Sequence, residues 1–63
     1  MDVDRAMALL DALHAARNAE YEAVRQYAKT VSTRDRRRLV AALRHTTAIE
    51  NELHKFYVSA QEA

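Results

Sequence analysis

The sequence predicts an all-α protein: an antiparallel two-helix hairpin, expected to dimerise into a four-helix bundle. Three observations carry this expectation. Gly, Pro and Cys are all absent from the 63 residues. Apolar residues recur at helical spacing through two long segments. One short break, Val31-Ser32-Thr33-Arg34-Asp35, separates those segments.

The first helix is expected over about 2–30, the turn over about 31–34 and the second helix over about 35–60, together one hairpin domain spanning the whole chain, 1–63. Asp2 and Asp4 favour the positive end of the first helix. Ser32 and Thr33 are N-cap residues for the second, and Asp35 suits its first turn. Ala, Leu, Arg and Glu, all good helix formers, fill the rest. So short a connection makes the helices antiparallel.

On the first helix, one face collects Val3, Ala6, Met7, Leu10, Leu13, His14, Arg17, Tyr21, Val24, Ala28 and Val31. The matching face of the second collects Leu39, Leu43, Thr46, Glu50, Leu53 and Tyr57. Secondary apolar flanks lie beside them: Leu9, Ala16 and Tyr27 on the first helix, Ala42, Ile49 and Phe56 on the second. A lone hairpin has a single seam and would leave those flanks wet. Two hairpins packed together would cover them, so a homodimer is the expected state. Small size points the same way, because a chain this short without disulfides has a marginal core.

Polar residues interrupt the main faces at mid-length. A turn centred near Thr33 sets Leu10 opposite Tyr57, Val24 opposite Leu43 and Arg17 opposite Glu50. His14, Arg17, Tyr21, Thr46, Glu50 and His54 are therefore expected to form one buried polar layer. Its structural account is a buried Arg17–Glu50 pair that fixes register. Its functional account is a metal site with Glu50, His54 and His14 as candidate ligands, a set suited to zinc, iron or manganese. The structural account is preferred, and no cofactor is expected.

Glu20 on the first helix and the run Glu50-Asn51-Glu52-Leu53-His54 on the second resemble half of a ferritin-like di-iron bundle. That family places its second-helix ligands as E-x-x-H. The resemblance implies a metal-binding half-bundle using Glu20, Glu50 and His54. Asn51, however, stands where the family has its carboxylate.

The other unusual feature is the basic run at the turn: Arg34, Arg36, Arg37 and Arg38, with Arg25, Lys29 and Arg44 able to extend it. Arginines at a helix N-terminus oppose the macrodipole, so local helix stability does not explain them. The preferred account is structural, a solvated run whose arginines bond to the adjacent carbonyl end of the first helix; the functional account is a corner for an acidic protein partner, or for phosphate in a nucleic-acid-binding dimer similar in form to Rop. The formal net charge of only +1 gives nucleic acid no general support.

No nucleophile–base arrangement stands out, so an enzyme is not favoured and no catalytic residue is assigned. No apolar run approaches a membrane span, and the acidic start does not look like a signal peptide, so a cytoplasmic location is expected. The function expected first is a small homo-oligomeric helical interaction module: an adaptor, regulator or inhibitor acting by protein–protein binding.

Overall fold

The computed structural model describes residues 3–62 as two α-helices packed against each other as a hairpin. They are α1 (Val3–Thr30) and α2 (Thr33–Glu62). Asp2 lies outside the described residues. The second helix begins at Thr33, earlier than its sequence signals suggest, because Ser32 is its N-cap. The Ser32 Oγ accepts the backbone N–H of Asp35 at 3.1 Å, and the Ser32 carbonyl accepts the N–H of Arg36 at 3.0 Å. That side-chain bond satisfies one of the otherwise orphaned donors of the first turn.

The reversal needs only Val31 and Ser32. The N–H of Val31 donates to the Tyr27 carbonyl at 2.7 Å, closing the last turn of α1. Val31 then takes a positive φ of 47°. This is the left-handed position that usually ends a helix, and Gly or Asn normally fills it. A β-branched residue there is strained.

Burial along the two helices follows a 3-4 alternation, with Val58 near the end of α2 half-buried outside it. On α1 the buried and half-buried residues are Ala6, Leu9, Leu13, Ala16, Glu20, Ala23 and Tyr27. On α2 the series runs Asp35, Leu39, Ala42, Thr46, Ile49, Leu53 and Phe56. This is the heptad pattern of an antiparallel coiled coil. Leu13, Ala16 and Ile49 form its central cluster, with Leu53 packed against them. Beside the seam, Arg5 and Glu52 form a cross-helix ion pair at 3.7 Å.

The seam joins the secondary flanks of the sequence to part of each expected main face: Ala6 and Leu13 on α1, and Leu39, Thr46 and Leu53 on α2. Leu9, Ala16, Tyr27, Ala42, Ile49 and Phe56 all belong to it. Val3, Met7, Leu10, Val24, Leu43 and Tyr57, from the expected main faces, are exposed. The physical reason is residue size. Ala6, Ala16, Ala23 and Ala42 contribute little hydrophobicity, but they let two helix backbones come close. A count of large apolar residues selects the other stripe.

The resulting core is thin. Among the described residues, the buried apolar side chains are Leu13, Ala16, Ala23 and Ile49. Four such residues, two of them alanines, are little to set against the ordering of a whole hairpin backbone, at about 1–2 kcal/mol per residue.

Candidate functional site

The seam leaves a second stripe unpartnered. Met7, Leu10, Tyr21 and Val24 on α1, and Val40, Leu43 and Tyr57 on α2, are exposed, and each directly follows a seam residue. Val3 and Val31 continue the same spacing. These residues are all the exposed large hydrophobics of the described chain. One residue further along is roughly 100° further round a helix. Each helix therefore carries two apolar stripes at nearly a right angle. That is what a four-helix bundle asks of a helix with two neighbours.

The two outer stripes lie on one side of the hairpin. In an antiparallel coiled coil, the positions that follow one class of seam residue meet across the same edge of the interface. Leu10 and Tyr57 share such a groove, whose lining also includes Ala6, Glu50, Leu53 and His54. With α1 ending at Thr30 and α2 starting at Thr33, Val24 lies level with Val40 and Arg17 with Thr47, so Arg17 and Glu50 are offset by about one helical turn and not opposite each other as the sequence suggested.

The polar residues expected inside the seam divide between these two stripes. Thr46 alone is buried, at 4% exposure, and its hydroxyl donates to the Ala42 carbonyl at 3.0 Å. His14, Arg17, Tyr21, Glu50 and His54 are exposed. They lie outside the seam because the packed face is rotated by one residue from the one their spacing suggested. Arg17 and Glu50 form no ion pair with each other among the described residues. They form a polar waist across the outer side, with apolar residues above and below.

Of the metal candidates, Glu50 and His54 line one groove and His14 is exposed, whereas Glu20 is set apart. Glu20 is half-buried in the seam, whereas Glu50 and His54 are on the surface. Among the described residues, no three His, Cys, Asp or Glu side chains are grouped to hold an ion. No described helix is long and apolar enough to cross a membrane.

The basic corner divides into two environments. Arg34 and Arg38 flank Asp35 in a groove shared with Gln26, Thr30 and Ser32. Arg36, Arg37 and Arg44 line a different groove with Thr33, Val40 and Ala41. Arg25 is occupied elsewhere: it pairs with Glu22 at 3.9 Å and lies 5.8 Å from the centre of the Tyr21 ring.

Asp35 is the anchor of the turn. Its carboxylate accepts the Thr30 hydroxyl, from the end of α1, and the Ser32 hydroxyl at 3.0 Å. These bonds, the Thr30 one foremost, hold its carboxyl below the usual carboxylate range, with the charges of Arg34 and Arg38 adding to the effect. Because the folded value is lowered, the stabilisation is present above the ordinary Asp range. It is lost as pH falls through the lowered value. Melting temperature should therefore decline in acid below about pH 4, and Asp35→Asn should remove part of that decline. An acid response identical in the two proteins would show that Asp35 does not tie the turn.

Comparison with known proteins returns no match: no family model, no curated protein and no solved structure is significantly similar to this chain.

Proposed function

We propose that this protein is a helical interaction module that works by docking the outer side of its hairpin onto helices of a protein partner. Adaptors, regulators and inhibitors can act in this way without chemistry of their own. One observation carries the reading: the exposed large hydrophobics are gathered on one side at heptad spacing, in two apolar groups separated by a polar waist. Singly scattered surface hydrophobics are normal, whereas a contiguous apolar face rimmed by charge marks an interaction surface. The spacing suits a helix, because anchors three and four residues apart are how helices dock into grooves.

The test is a comparison of binding by the native chain and by a Val24→Glu/Leu43→Glu variant. Both sites are exposed, so the seam is left intact. Partner binding, self-association included, should be lost in the variant while helical circular dichroism persists under dilute conditions. Equal binding by both proteins would remove the outer side from the function.

A further inference from the structure

Resting on the interaction-module reading, we infer that the partner presents an acidic helix to the hairpin: carboxylates that border its apolar stripe at heptad spacing seat on Arg37 and Arg44, beside Val40 and Leu43. Charge is unevenly distributed along the hairpin. Residues 21–45, around the turn, hold seven of the ten Lys and Arg but only two of the nine acidic residues, Glu22 and Asp35. Both acids are already engaged, Glu22 with Arg25 at 3.9 Å and Asp35 with the Thr30 and Ser32 hydroxyls. The turn half therefore carries a net +5 and the rest of the chain −4, a polarity that the overall +1 conceals.

The fold makes no use of three of these cations. Arg36, Arg37 and Arg44 are exposed and line one groove. Among the described residues, none of the three makes a hydrogen bond or an ion pair, at the carbonyl end of α1 or elsewhere. Arg36 and Arg37 also stand near the positive end of α2, where the macrodipole disfavours a cation. An anion in the groove relieves both the mutual repulsion and the dipole, and a carboxylate can take two parallel hydrogen bonds from a guanidinium.

Position identifies the occupant as protein. The floor of the groove is Val40 and Ala41, and Val40 also belongs to the outer apolar stripe with Leu43. Arg37 and Arg44 lie about 40–60° further round α2 than Val40, on the side away from α1. A helix docked along Val40 and Leu43 therefore has its border over both arginines. They are seven residues apart, two turns or about 10.5 Å, so carboxylates seven apart on the docked helix share their rise. A nucleic-acid backbone offers the negative charge without aliphatic side chains for Val40 and Leu43. Tracking along the 48 Å hairpin, it would also run from the basic half onto the acidic one.

The probe is a displayed library of amphipathic helices with a fixed apolar stripe and randomised bordering positions, selected on the purified chain. Asp and Glu should be enriched at bordering positions seven apart. A selected peptide should bind Arg37→Glu/Arg44→Glu at least about tenfold more weakly than the native chain, and Lys at its two acidic positions should restore binding to that variant. Both arginines are exposed, so helical circular dichroism should persist. Selected helices with no acidic preference, or equal binding by native and charge-reversed chains, would overturn the acidic partner and leave the docking reading to the Val24→Glu/Leu43→Glu comparison. A DNA or RNA duplex bound more tightly than the selected helices at about 0.15 M salt would overturn it in favour of phosphate. Self-association tighter than peptide binding would overturn it in favour of a second copy. A library that yields no binder would overturn the docking reading as well.

Discussion

Leu13→Ala should cost about 2–5 kcal/mol and leave much of the chain unfolded at room temperature. Leu13 is 6% exposed and sits at the centre of the seam with Ala16 and Ile49. Truncating it removes the largest buried side chain on α1, whose other buried members are Ala16 and Ala23. Little remains nearby to collapse into the space. A small domain has a total stability of only about 5–15 kcal/mol, so the loss is a large share of it. Leu10→Ala is the informative companion. Leu10 belongs to the outer stripe, so under dilute conditions its truncation should shift stability by no more than about 0.5 kcal/mol. Urea titration followed by circular dichroism measures both. Equal losses at Leu10 and Leu13 would mean that the packed face of α1 has been misassigned.

Ala23→Leu should destabilise by about 1–3 kcal/mol through overpacking. Ala23 is the most enclosed apolar side chain described, at 2% exposure. The heptad register sets it against Leu39, which is half-buried. Three added carbons must either push the helices apart or leave favoured rotamers. The same change at the exposed Ala19 should be near neutral, because Leu is almost as good a helix former as Ala. A gain in melting temperature for Ala23→Leu would show that the seam is loose at that level and that its alanines do not set the helix spacing.

These two positions also show what can be read in the sequence. The hairpin itself is legible: helix formers fill both segments, and Ser32 and Asp35 punctuate the chain where α2 starts. Level is legible only roughly, because the turn sits at Val31 and Ser32 and not near Thr33, which shifts the facing residues of α1 and α2 by about one helical turn. Rotation is not. Each helix carries two stripes one residue apart, and on α1 the stripe with more large hydrophobics faces outward. Ala16 and Ala23 earn their burial through small size, a property that hydrophobic periodicity weights lightly. Arg17 and Glu50 both moved outward with that rotation, and the position of the turn leaves them about one helical turn apart in level. Thr46 stayed inside because its hydroxyl bonds to the preceding turn of its own helix. Nothing in the local sequence marks Val31 as left-handed, since the residues that ordinarily announce that conformation are missing from the chain.

Val31 has a consequence for topology. Reversal of the chain depends on one residue held in the left-handed region, which costs an L-residue roughly 1–2 kcal/mol. With Val31 and Ser32 both in the ordinary helical region, α1 and α2 would join in a single rod, about 90 Å long for residues 3–62. Two such rods lying antiparallel could form every layer of the same seam between chains. The closed hairpin prevails in dilute solution because its helices meet within one molecule, at a high effective concentration. Strain at Val31 lowers the protein concentration at which exchange of helices between chains would take over. The choice between a compact hairpin and a swapped rod therefore lies with a valine at the turn, in a position where glycine would have secured the hairpin.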